Sequence, residues 1–338
     1  MKLNGAFAVR LARCGVVFAV AMGLAGAEDP SGRTVSLNSG ATRDARLYEI
    51  ATSAMFADVN PNDARAAMKV WFDILAQQKG FRLESKVDII DSLTEIRERL
   101  EKHSVDVLML GVTDYLQLET SGLLSLVGTD SRNPQGEELY SYVLLVNPSS
   151  GRSTLAGLRG KKVLVASRGS GKTGSAWLDV LLSEEKLGRA TSFFGSVRMP
   201  DKPQACILPL FFGTADACIV DEVNLNLAKE MNPQLGRLKV LARSPPLIDG
   251  VIAVPAEARP YQQELINGIL SLHHDLRGRQ LLMVFKTDQI VRIRPSTLDS
   301  SRQLWNDYNR LTGSIPYRPL LAPSPAVESS LTVRGLGR

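Results

Sequence analysis

"KKVLVASRGSGKTGSAW" occupies residues 161–177. Its apolar run, Val163-Leu164-Val165-Ala166, has the composition of a buried strand. The Gly/Ser/Thr loop after it opens into a helix from about 174 to 185. One strand-loop-helix unit decides little by itself, but the same alternation recurs on both sides. Strands are expected at 47–52, 81–90, 105–110, 139–146, 193–197, 217–221, 238–242 and 251–254. Helices fit between them. Asn60-Pro61 caps and opens one helix, and Ser92 with Glu95 forms a capping-box pattern for the next. Residues 129–137 read as a polar turn, and 257–274, 277–286 and 296–311 as helices. Alternating strands and helices specify an α/β architecture.

The loop itself ends like G-x-x-x-x-G-K-[ST], with Gly171-Lys172-Thr173 in place. Read as a nucleotide site, Lys172 would reach the phosphates, and Asp221, at the end of "ACIVD", would help hold Mg²⁺. The first glycine of the pattern falls on Ala166, however, where the backbone would have to wrap tightly around phosphate. Hydrolysis of a nucleotide or phosphate ester is therefore a remote alternative. The physical content of the loop is broader: free backbone N–H groups and the positive end of a helix dipole hold an anion of any origin. A polar loop carrying a solvated lysine is the other reading.

The chain has 338 residues, enough for two lobes, with 44% hydrophobic and 22% charged residues. Residues 1–27 stand apart. Lys2, Arg10 and Arg13 precede the uncharged run "CGVVFAVAMGLAGA", which ends in Ala-Gly-Ala. This reads as an export signal that is cleaved, too short for the roughly 20 residues of a membrane span. Losing those three cations lowers the formal net charge from +5 to +2, so the basicity belongs mostly to the leader, and nothing suggests nucleic acid. Residues 28–44 read as a linker and 312–338 as a Pro-rich loose tail. Beyond the leader remain Cys206 and Cys218. In an oxidising compartment they can pair, and as free thiols they would pack as small hydrophobes; both readings stay open. No Cys/His cluster suggests a metal, and with His103, His273 and His274 as the histidines and no G-x-S-x-G, a Ser-His-Asp hydrolase is hard to build.

Five stretches in order carry a resemblance: "MFADVNPNDARAAMKVW" (55–71), "DVLMLGVTDYL" (106–116), "LRGKKVLVASRGSGKTGSAWLDVLL" (158–182), "KPQACILPLFFGTADACIVDE" (202–222) and "LARSPPLIDGVIAV" (241–254). Over about 45–295 the chain resembles the phosphate/phosphonate-type substrate-binding proteins of ABC importers. The resemblance implies a two-lobe type II periplasmic-binding fold, each lobe a mixed sheet flanked by helices, with the ligand cleft between lobes. Lobe one would be 45–143 plus 248–311, and lobe two 144–247. Carried over by position, lobe one offers Ser53, Met55 and Phe56, then Thr113, Asp114 and Tyr115; lobe two offers Ser170, Gly171, Lys172, Thr173 and Asp221. Each has an alternative reading. Phe56 can be a staple under its helix, Asp114 a helix cap, and Tyr115 core. Asp221 either pairs with a ligand amine or holds neighbouring backbone, and Lys172 points into the cleft or out of it.

The implied function is an exported, monomeric receptor that captures a small oxyanion (phosphate, phosphite, a phosphonate or a phosphate ester). It would deliver the anion to the membrane subunits of an ABC importer, without chemistry, cofactor or metal. The alternative is a sensor subunit docking on a membrane signalling protein.

Overall fold

The structure is a computed structural model that describes residues 43–56, 60–79, 81–132, 139–166, 172–200 and 202–314. The expected leader at 1–27, the linker from 28 to 42, the tail from 315 and the loop residues Ser170 and Gly171 lie outside these. In chain order the strands are β1 (Arg43–Ala51), β2 (Phe81–Ile89), β3 (Val107–Gly111), β4 (Leu124–Ser131), β5 (Tyr142–Val146), β6 (Lys162–Val165), β7 (Ser196–Arg198), β8 (Ala217–Asp221), β9 (Lys239–Arg243), β10 (Gly250–Pro255) and β11 (Gln289–Arg292). The helices are α1 (Pro61–Lys79), α2 (Leu93–Glu101), α3 (Val112–Glu119), α4 (Lys172–Glu184), α5 (Ala190–Phe193), α6 (Gln204–Phe211), α7 (Glu222–Met231), α8 (Gln262–Leu270), α9 (Leu276–Val284) and α10 (Asp299–Thr312).

The strands form two mixed sheets, ordered β11-β4-β10-β3-β1-β2 and β7-β6-β8-β5-β9. In the first, β1 runs parallel to β2 and β3, while β10 is antiparallel to β3 and β4. In the second, β6 is parallel to β7 and β8, while β5 is antiparallel to β8 and β9. The central strands β5, β8 and β10 are buried at every position. Apart from Asp221 at the end of β8, these strands carry no charged side chain, as a sheet covered on both faces requires. Helices supply that cover. One face of the first sheet packs on α2, α3 and α10, and the other on α1, α8 and α9. The second sheet packs on α4 and α5 on one side and on α6 and α7 on the other.

The chain passes from one lobe to the other after β4 and returns after β9. The two crossings are tied to each other: the Tyr140 amide donates to the Leu247 carbonyl at 2.8 Å, and the Leu247 amide to the Tyr140 carbonyl at 2.7 Å. The second sheet already includes Tyr142 and Val143, two residues earlier than the expected boundary. Helix α10 belongs to both lobes, because Trp305 enters the first core and Leu304 the second.

Three expectations are corrected. Residues 124–131, the last three of them read as polar turn, form β4, and a short edge strand, β11, pairs with it. The helix expected over 257–274 is shorter. Tyr261, with φ of 62°, holds the left-handed conformation before α8, and a 3-10 turn at Leu272–His274 follows it. The strand expected at 193–197 gives way to α5 and the later strand β7. Elsewhere local signals hold: the Asn60 side chain accepts from the Asn62 amide, and Ser92 from the Glu95 amide.

Candidate functional site

A cavity of about 120 Å³ opens where the strand ends of lobe one meet the start of α4. Its polar end is built from both lobes. Lobe one contributes Met55, Gly111, Thr113, Asp130, Arg132 and Asp249, and lobe two contributes Lys172 and Thr173. Of the expected site residues, Met55, Thr113, Lys172 and Thr173 are therefore brought together.

The N-terminus of α3 is one wall. Its first position is preceded by Gly111, and no side chain caps it. The Val112 amide donates to the Asp249 carbonyl at 2.8 Å, and the positive end of the helix dipole lies at the cavity. Thr52, just after β1, holds this start in place: its hydroxyl oxygen accepts from the Gly111 amide at 3.1 Å. Burial is the largest influence on Asp114 and raises its pKa above the ordinary carboxylate range; Asp91 adds to the rise, while Lys172 and the Thr52 hydroxyl oppose it. Lys172 lines the same cavity, and its charge bears on Asp114.

Several expected residues lie elsewhere. Tyr115 is 2% exposed within the lobe-one core, and its hydroxyl donates to Glu119 at 3.5 Å. Burial pushes the phenol pKa upward. Asp221 is 1% exposed and caps α7: one carboxylate oxygen accepts from the Asn224 amide at 2.9 Å, the other from the Asn224 side chain at 2.6 Å. Neither side chain lines the cavity. Ser53 is exposed, and its amide is taken by Asp91 at 2.7 Å. Asp114 is not one of the cavity's lining residues. Ser170, Gly171 and the Phe56 side chain lie outside the described residues. Cys206 and Cys218 are joined as a buried disulfide, Cα atoms 5.6 Å apart, on the far side of the second sheet.

Arg132 is the residue that sequence reasoning missed. It follows β4 directly and lines the cavity, and its Nε is buried without a hydrogen-bond partner among the described residues. The nearby carboxylates are engaged. The Tyr140 hydroxyl donates to the Asp130 carbonyl at 2.7 Å and to its carboxylate at 3.3 Å. The Tyr142 hydroxyl donates to Asp249 at 2.6 Å. Two tyrosines from the interlobe crossing thus hold the two acids, while Arg132 and Lys172 supply positive charge to the same space. Recognising β4 from its apolar start, Leu123 to Val127, would have placed Arg132 at a strand end facing the cleft.

The profile of a family described as "ABC transporter, phosphonate, periplasmic substrate-binding protein" matches residues 54–298, well over half the chain. The chain belongs to that family. The match covers all of the second sheet and every strand of the first except β1. No curated protein sequence matches the chain. Among solved structures it is similar to a binding-protein component of an ABC phosphonate transporter from Pseudomonas aeruginosa (TM-score 0.52, 12% identity, 79% of this chain and 87% of that one). It is also similar to PhnD1 from Prochlorococcus marinus in complex with methylphosphonate (TM-score 0.53, 15% identity, 80% and 99%). A Xanthomonas citri protein bound to ATP gives a TM-score of 0.57 at 15% identity, covering 80% and 99%. At these identities the likeness is one of fold: two lobes of the type II periplasmic-binding kind. Among the described residues no helix is long and apolar enough to cross a membrane, and no group of His, Cys, Asp and Glu is arranged to hold a metal.

Proposed function

We propose that this family member captures a small phosphorus oxyanion between its lobes and delivers it to the membrane subunits of an ABC importer. On this reading it is a monomer in the periplasm after loss of residues 1–27, and it performs no chemistry on its ligand. The observation that carries the proposal is Arg132, a guanidinium on the cavity wall whose Nε is buried without an acceptor among the described residues. A buried donor left unmatched costs about 1–3 kcal/mol, and an oxyanion removes that cost. Lys172 and Thr173 approach from lobe two, so an anion held by both lobes favours the closed state. Closure turns about the paired crossings at Tyr140 and Leu247.

The test is a thermal-shift panel on residues 28–338 with phosphate, phosphite, methylphosphonate, sulfate, an amino acid and Mg-ATP. A ligand at 100 times its dissociation constant adds about 2.7 kcal/mol. A shift with one or more of the small phosphorus oxyanions is expected. A shift with Mg-ATP alone, or with the amino acid alone, would overturn the proposal.

A further inference from the structure

The cavity does not end at its polar wall. It continues between the first sheet and helices α1, α8 and α9, where its lining becomes apolar: Trp71, Met109, Ile252, Ile269, Leu282 and Phe285. Four of these, Trp71, Ile252, Ile269 and Leu282, are buried, so the recess is interior rather than a surface dimple. Thr287 is a polar neighbour there, and its hydroxyl is already committed to the Ser131 carbonyl at 2.8 Å. A bare tetrahedral anion held by Arg132 and Lys172 has no use for this space. Water gains little in it, because apolar cavities stay dry, and one of roughly 150 Å³ admits a benzene-sized guest. A single polar feature remains in the recess. Trp71, 5% exposed, has an indole N–H without an acceptor among the described residues.

We infer that the ligand of this cleft is amphiphilic: a phosphonate whose phosphorus oxygens meet Arg132, Lys172 and the start of α3, and whose alkyl or aryl substituent fills the recess beside Trp71. The inference rests on the oxyanion reading above and narrows its substrate class from anions in general to those with an apolar arm. Met55 packs directly over Gly250, where a Cβ would meet its side chain. Met55 thus stands at the junction of the polar and apolar parts, as a soft side chain that can shift for a substituent.

The experiment compares phosphate, methylphosphonate, propylphosphonate and phenylphosphonate by titration calorimetry. Indole emission serves as a second readout, because Trp71 and Trp305 both line the cavity. Burying a methylene is worth about fourfold in affinity, so propylphosphonate is expected to bind about 15-fold more tightly than methylphosphonate. In an Ile252→Phe variant, which fills the recess, the ratio between those two ligands is expected to fall to near one. Equal or weaker binding of the propyl compound by the wild-type protein would overturn the inference while leaving the oxyanion reading intact. Persistence of the full ratio in the filled variant would also overturn it. Failure of every phosphorus oxyanion to bind would bring down both. The wild-type series decides the matter even if the variant does not fold.

Discussion

Replacing Arg132 by methionine separates a ligand-anchoring arginine from a structural one, because the two roles predict opposite signs. Among the described residues Arg132 makes no ion pair, and its Nε is a buried donor with no acceptor there. Methionine keeps much of the side-chain volume and removes that donor. The unmatched group costs about 1–3 kcal/mol, so the variant is expected to be as stable as the parent or more stable by up to that amount. For a chain of this size each kcal/mol moves Tm by about 2–4 °C. Binding should change the other way. A hydrogen bond to a charged group contributes about 1.5–3 kcal/mol, and its loss weakens phosphonate affinity by roughly 10- to 150-fold. Urea denaturation without ligand and calorimetric titration with ligand measure the two effects on the same preparation. An Arg132→Met protein that loses stability while binding with parental affinity would show that the guanidinium serves the fold, and the oxyanion site built around it would fall.

The remaining predictions concern groups away from the ligand. Arg302 donates to both oxygens of Glu119, at 3.1 and 2.9 Å, with both residues buried; Arg302→Met strands the carboxylate and should cost about 3–5 kcal/mol in denaturant titrations. Glu49 is enclosed on the face of β1 that packs under α1, neither carboxylate oxygen has a partner among the described residues, and burial raises its pKa well above the carboxylate norm. Its unfolded form ionises first, so stability declines as pH rises above about 4.3, by up to about 1.4 kcal/mol per unit, until the folded group ionises too. Glu49→Gln should flatten that decline between pH 5 and 8, and parallel wild-type and variant profiles would contradict the assignment. Removing the disulfide by a Cys206→Ala, Cys218→Ala double substitution should cost about 3 kcal/mol for a loop of this length, and alkylation of the unfolded, unreduced protein should leave both sulfurs unmodified.

Much of the architecture was legible because it was local. "YVLLV" and "ACIVD" are apolar enough to announce central strands, and Asn60 and Ser92 mark helix starts by chemistry that acts over two or three residues. β4 was not legible over its second half, because Gly128, Thr129, Asp130 and Ser131 have the composition of a turn. Tertiary contacts make them strand. Thr129 donates its hydroxyl to the Gly250 carbonyl at 2.6 Å, Gly128 leaves room for the Val291 carbonyl, and Ser131 accepts from Asp288 and Thr287. Losing that strand meant losing Arg132 at its end. Asp221 stayed open between two readings, because its position after a strand suits a ligand acid and a cap on neighbouring backbone equally; only the Asn224 contacts distinguish them. Tyr115 shows the same limit, since its place one turn into α3 does not say which side of the helix faces the cavity.

Helix α10 sets a mechanical constraint on how the lobes can close. Leu304 and Trp305 are neighbours in the chain, yet one is anchored in each core, and Ser301 on the same helix accepts from the Ile248 amide at 2.8 Å where the chain re-enters lobe one. Sliding one lobe along the other would extract one of the two anchors. On the closure proposed above, rotation about an axis close to α10 would move neither far, and the helix would serve as the spine of a book whose covers swing while the binding stays put. Substitutions that loosen either anchor should then alter how far the covers open before they alter what is held between them.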